Sequence, residues 1–198
     1  SALSTQVIGN SDFYNGAFPS EYSNALSGIF DMQIRNGNNQ KYEHTFQLGI
    51  LGIDLASEGP ISRKHGSSYI FNYRFSTTSL ATGNDMNLKY QDLSFKLNFP
   101  TRKAGTFSIW GIGLIDRYKP EAIDRDEWET QGDRQSGNTA FDKAAGGLTH
   151  KYLINADTYI RSSLAATYSK DRTRADQMTE DDKLVHVGDI RNSKWDIV

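Results

Sequence analysis

The four histidines are the side chains here best suited to bind a metal or move a proton, and their spacing serves neither purpose. His44, His65, His150 and His186 form no H-x-x-x-H or H-E-x-x-H pair, the spacings that set two imidazoles around zinc on one helix face. They read as surface or lumen histidines. The chain has no Cys, which removes thiolate nucleophiles, disulfides and Cys-based zinc sites. Gly111-x-Gly113 lacks the third glycine of a dinucleotide fingerprint and sits inside an apolar run. No G-x-S-x-G nucleophile elbow occurs. Carboxylates cluster twice, at Asp124, Asp126, Glu127 and Glu129 and at Glu180, Asp181 and Asp182. Calcium favours several such oxygen ligands, but neither cluster has EF-hand spacing, and both read as solvated loop charge. The expectation is a protein without catalysis, metal or cofactor.

The strongest pattern is aromatic. Tyr69, Phe71, Tyr73 and Phe75 alternate with Ile70, Asn72, Arg74 and Ser76. Leu93, Phe95, Leu97 and Phe99 alternate with Asp92, Ser94, Lys96 and Asn98. A strand sends successive side chains to opposite faces, so each run is a strand with one apolar and one polar face. In a soluble β-sandwich the apolar face meets a second sheet. In a membrane barrel it meets lipid, and the polar face lines a wet lumen. The alternation alone is compatible with either.

Composition narrows the partners. A net charge of −2 argues against nucleic acid. No run of about 18 apolar residues exists, so no transmembrane helix is expected. The mean hydropathy of −0.61 is compatible with a barrel, because half of each barrel strand and all its loops are polar. The first residues, Ser1 to Thr5, lack the basic and apolar regions of a signal peptide. The reading is an exported chain already processed, or an internal piece of a longer one.

Residues 1–40 are rich in Gly, Asn and Ser, with one short alternating run from Ile29 to Ile34. Residues 42–61 hold apolar side chains in two phases, Phe46, Leu48 and Ile50 against Leu51, Ile53 and Leu55. That change predicts a bulge or a very tight hairpin near Gly52, with Glu58-Gly59-Pro60 ending the run. Strands are expected at about 68–78, 90–100, 106–116, 148–154, 157–170 and from Leu184. Short turns are expected at 62–67 and 101–105. The stretches 116–147 and 171–182 read as long polar loops, the first with a helical turn near Pro120 to Trp128. Alternating short turns and longer loops suit an outer-membrane barrel.

The segment Gly16-Ala17-Phe18-Pro19-Ser20-Glu21-Tyr22-Ser23-Asn24-Ala25-Leu26-Ser27-Gly28-Ile29-Phe30-Asp31-Met32, followed by Arg35-Asn36-Gly37-Asn38, resembles the end of the plug domain of TonB-dependent outer-membrane receptors. In that family an acidic-Tyr-Gly-x-Ala-x-Gly stretch leads into a last plug strand and a basic-x-Gly turn. Ser23 stands where Gly is usual. Leu55 to Ile61, with Glu58-Gly59-Pro60, looks like the family's first periplasmic turn. The pattern is most similar to receptors of Bacteroidetes type, and the resemblance covers about residues 1–116.

The resemblance implies an all-β chain. Residues 1–40 would be the C-terminal piece of a plug, and 41–198 an antiparallel meander forming the first strands of a large transmembrane barrel. It implies location in the cell outer membrane and active uptake of a large nutrient (oligosaccharide, peptide or metal chelate). Energy would come from the inner-membrane TonB complex, acting through an N-terminal part of the receptor. A surface lipoprotein partner would belong to the same scheme. Tyr69, Phe71, Tyr73, Phe75, Leu93, Phe95, Leu97 and Phe99 would face membrane lipid. Asn72, Arg74, Asp92, Ser94 and Lys96 would face the lumen. Tyr118 and Trp128, on the long loop, would be the ligand contacts. The alternative is a secreted soluble β-sandwich that binds glycans.

Overall fold

The computed structural model describes residues 4–16, 27–49, 52–76, 87–119, 125–130, 134–179, 181 and 183–197. Its strands form two sheets. Ile8–Tyr14 (β1) and Ile29–Ile34 (β2) make a small antiparallel pair. Eight strands follow: Glu43–Gly49 (β3), Gly52–Ser62 (β4), Ser67–Ser76 (β5), Asn87–Pro100 (β6), Thr106–Lys119 (β7), Gln135–Leu153 (β8), Tyr159–Met178 (β9) and Leu184–Ile197 (β10). Each pairs antiparallel with its sequence neighbours, in the order β3 to β10, so the chain is an all-β meander. The two sheets fall on either side of residue 40. Most of the quoted plug-like segment, residues 17–26, lies outside the described residues.

The turns follow from local chemistry. Between β4 and β5 a 3-10 turn, Arg63–His65, is stopped by Gly66 at φ 68°. Between β6 and β7 the Thr101 amide and hydroxyl both donate to the Gly105 carbonyl, at 2.9 and 2.7 Å. The same hydroxyl accepts from the Ala104 amide at 3.0 Å. The phase change after Leu48 is a tight hairpin: Gly49 stands opposite Gly52, Leu48 opposite Ile53 and Phe46 opposite Leu55. Reversal of the chain puts both phases on one face. Ile50 and Leu51 lie outside the described residues.

Three expected boundaries are corrected. β4 does not end at Glu58-Gly59-Pro60 but runs to Ser62, with a register shift beside Pro60. A bulge is where a strand tolerates a residue without an N–H. The stretch 116–147 is not one loop, since β7 continues to Lys119 and β8 begins at Gln135. The stretch 171–182 is mostly strand as well, because β9 continues to Met178. In both, backbone ladders hold residues whose side chains are charged. Asp142 pairs Arg172 at 3.1 Å, and Lys143 lies 4.0 Å from Asp171. An apolar alternation cannot mark strands built this way.

Directly paired residues share a face, so the register sorts the side chains. One row crosses all eight strands: Phe46, Leu55, Tyr73, Leu93, Gly113, Ala144, Tyr168 and Trp195. The adjoining row contains Phe71, Phe95, Gly111, Gly146, Ala166 and Ile197. The Phe95 ring lies over Gly111, where a Cβ would come within 2.6 Å of it. The opposite face carries Asn72, Ser94, Ile112 and Ala145 in one row, and Arg74, Asp92, Leu114 and Lys143 in the next.

The buried apolar cluster is Val7 and Ile70, flanked by Ile8, Ile34 and Ile112. It lies on the polar face, where the small sheet sits. Ile70, the one apolar interruption among the polar positions of its strand, is its centre.

Candidate functional site

The first described residues, the small sheet and the linker after it are bound to the polar face by charged groups of β4 and β6. Arg35, just past β2, forms a two-pronged pair with Glu58 of β4, at 2.8 and 2.5 Å. Glu58 also accepts from the Asn38 amide at 2.7 Å. The Arg35 Nε donates to the Gln6 carbonyl at 2.9 Å. The bond to Glu58 holds the Arg35 guanidinium above its ordinary value, against the opposing effect of burial. The Ser4 hydroxyl donates to Asp54 at 3.0 Å, and Asn72 donates to the same carboxylate at 2.5 Å. Lys96 of β6 reaches the Ile34 carbonyl at 2.7 Å. Gly37 runs so close to β5 that a Cβ would sit 1.9 Å from the Tyr69 carbonyl oxygen. Only glycine permits that approach.

The sequence-predicted residues divide between the two faces. Tyr69, Phe71, Tyr73, Phe75, Leu93, Phe95, Leu97 and Phe99 fall on one face, with Phe71 opposite Phe95 and Tyr73 opposite Leu93. Asn72, Arg74, Asp92, Ser94 and Lys96 fall on the other, with Asn72 opposite Ser94 and Arg74 opposite Asp92. Asn72, Asp92 and Ser94 are buried. Arg74 holds Asp92 at 2.9 Å and also donates to the Tyr90 hydroxyl at 3.1 Å. Beside Lys96, between β2 and the polar face, is a cavity of about 500 Å³ lined by Met32, Trp110, Thr149, Arg161 and Ser163 among others.

The apolar face is bare. Phe46, Leu48, Leu148, Leu164, Trp195 and Ile197 are all more than half exposed, and among the described residues no second sheet covers them. The face changes character within two adjacent rows. On β7 the outward residues from Phe107 to Ile115 are apolar or Gly, and the next is Arg117. On β8 Ala144 gives way to Asp142, on β9 Tyr168 to Lys170, and on β10 Trp195 to Ser193 and then Arg191. At the opposite end, next to the short turns, the ring of Phe107 stacks on His150 at 4.3 Å, with Tyr152 beyond.

The proposed ligand-loop residues separate. Tyr118 is on strand β7, paired with Thr139, which corrects its placement on a loop. Trp128 follows a 3-10 turn, Arg125–Glu127, and the Arg134 guanidinium lies over its ring at 4.6 Å. No described contact joins the two. Of the acidic clusters, Asp124, Glu180 and Asp182 lie outside the described residues, and Asp126, Glu127 and Glu129 are exposed. The histidines are dispersed: His44 beside Ser57, His65 beside Ser62, His150 against the Ala104 carbonyl, and His186 on Asp176.

No family model, curated protein or solved structure matches this chain. The residues that sequence reasoning missed are Val7, Arg35, Asp54 and Glu58, which dock the small sheet. Arg35 and Glu58 both stand in the quoted motifs, but their pairing spans strands and has no local signature. The signal that was present is Ile70, an apolar residue among polar ones.

Proposed function

We propose that this chain is part of an outer-membrane active transporter of the TonB-dependent type, with the small sheet as the end of its plug and the meander as the first strands of its barrel. The observation that carries the reading is which face is covered. The small sheet lies on the polar face and leaves the apolar face bare, the reverse of what a soluble sandwich needs. A membrane-crossing strand takes about 9–11 residues, and the outward run from Phe107 to Ile115 fits that length, with charge above it and aromatic rings below. The connections at the charged end are 50–51, 77–86, 120–134 and 179–183, two of them ten residues or longer. Those at the aromatic end, 63–66, 101–105 and 154–158, are all five residues or shorter. Longer loops at the cell surface and short periplasmic turns are the barrel arrangement. The free edges of β3 and β10 would be paired within a larger barrel, since lipid leaves no backbone group unsatisfied.

In this reading the polar face lines the lumen, and the Arg35–Glu58 pair is one of the ties that energy from the inner membrane must break to open a path. The nutrient would be an oligosaccharide, a peptide or a metal chelate, met by surface loops. Because this chain has no Cys, cysteines introduced at the two positions can be joined by a reducible bis-methanethiosulfonate cross-linker, long enough to span two side chains that meet only at their tips. The full-length receptor carrying Arg35→Cys with Glu58→Cys should fractionate with the outer membrane. Cross-linked, it should lose growth on the nutrient that the unaltered receptor supports, identified from a panel of these three classes, and regain it with reductant. Recovery of the full-length protein as a monodisperse monomer in water without detergent would overturn the reading and favour the glycan-binding sandwich.

A further inference from the structure

Above the apolar band, the outward side of β7 to β10 carries an arginine cluster that the transport reading does not use. Arg117, Arg172 and Arg191 stand in one row of the sheet, with Ala140 between the first two. Arg172 lies directly opposite Arg191, and like charges so placed repel. Arg174, the next outward residue on β9, faces Asp189. The local carboxylates relieve this incompletely. Asp142 takes both Arg117 and Arg172, and Asp176 takes Arg174. Among the described residues Arg191 pairs only with Asp189, at 3.6 Å, and its side chain is 78% exposed. Ala140 is too short to fill the row, and the four arginines, with Asn138 and the acidic Asp189 among others, line a hollow of about 420 Å³ beside it.

We propose that this hollow binds the phosphate group of an anionic membrane lipid. The inference rests on the membrane reading above. A planar guanidinium offers parallel N–H donors that match phosphate oxygens, and one phosphate can accept from several. The position selects a lipid over a free ion. Arg117 is the outward residue next above Ile115, and Arg172 and Arg191 are two outward positions above Tyr168 and Trp195. The Tyr168 and Trp195 rings lie together at 4.4 Å. Acyl chains running along these rings would carry a headgroup to the level of the arginines.

The test uses the full-length protein in nanodiscs holding equal amounts of dimyristoyl phosphatidylglycerol and dimyristoyl phosphatidylcholine, released into mild detergent and weighed by native mass spectrometry. The phosphatidylglycerol should be retained in several-fold excess, and added salt should shrink that excess. Arg172→Gln with Arg191→Gln should bring the two lipids to parity. Arg172→Lys with Arg191→Lys should restore part of the preference, separating loss of the site from loss of the fold. Millimolar inorganic phosphate should leave the excess in place; displacement of the lipid by phosphate would overturn the assignment to a lipid. Unaltered protein that enters phosphatidylcholine discs yet retains both lipids equally overturns this inference and leaves the membrane reading standing. Protein that enters no disc overturns both.

Discussion

Ile70 on β5 and Ile190 on β10 are the same residue on the same face of one sheet, yet Ile70 is 1% exposed and Ile190 61%. The strands around Ile70 lie under the small sheet, and their polar face is buried with Asn72, Asp92 and Ser94. Strand β10 has no such cover among the described residues, β9 meets the small sheet across the cavity lined by Arg161 and Ser163, and most side chains of both strands are open. The ladder is continuous through both regions. Backbone pairing therefore builds the sheet, while side chains decide where something docks on it. The two regions differ on the polar face and are alike on the apolar one.

Ile70→Ala should test the first half of that contrast. It empties the centre of the docked cluster and should cost about 2–5 kcal/mol, whereas Ile190→Ala should stay within about 0.5 kcal/mol. Denaturant unfolding of the full-length protein in detergent reads both, and equal costs would remove the distinction between covered and open strands. On the apolar face the regions should behave alike. Phe95→Arg and Ala166→Arg share a row near the middle of the band, and each should cost roughly 2–4 kcal/mol in reversible refolding into lipid. Phe107→Arg, at the band's edge, should cost about 0–1 kcal/mol. A cost near zero for Phe95→Arg would count against lipid exposure.

The smallest effect concerns the outer tip of β9 and β10, beyond the apolar band. His186 donates to Asp176 at 2.8 Å, and Arg174 donates at 2.9 Å. These bonds, His186 foremost, hold the Asp176 carboxyl below the usual carboxylate range. A depressed carboxylate stabilises fully above its unfolded value, and that contribution is lost as pH falls through the folded one. Acidification should therefore loosen amide protection at 174–188 while the covered β5–β6 amides stay protected. Hydrogen exchange at neutral and acid pH measures both segments, and parallel loss would mean the tip has no separate stability.

The legible parts of the fold were those where one face is apolar. The alternation in β5 and β6, the tight hairpin before Gly52 and the turns at 62–67 and 101–105 could all be read because period two and turn chemistry are local. Residues 135–147 and 171–178 could not, because the first are mostly small or polar and half of the second are charged, so neither shows an apolar alternation. For the candidate site, alternation divides Asn72, Arg74, Asp92, Ser94 and Lys96 from the aromatic positions. It says nothing of Arg35 meeting Glu58, since cross-strand partners far apart in sequence leave no periodic trace. Ile70 shows that an exception to a pattern can carry more information than the pattern.

Because every pair in the large sheet joins sequence neighbours, each step of its formation closes only a modest loop, and closure entropy grows slowly with length. The small sheet is different. Its bond from Lys96 to Ile34 spans 62 residues, and the platform that receives it exists only once β4, β5 and β6 are side by side. Docking of the small sheet is therefore the late event in folding, although its residues precede in sequence the strands that receive them. Pulsed hydrogen exchange during refolding of the full-length chain should find β5–β6 amides protected before those of β2. Simultaneous protection would mean that the small sheet templates the large one.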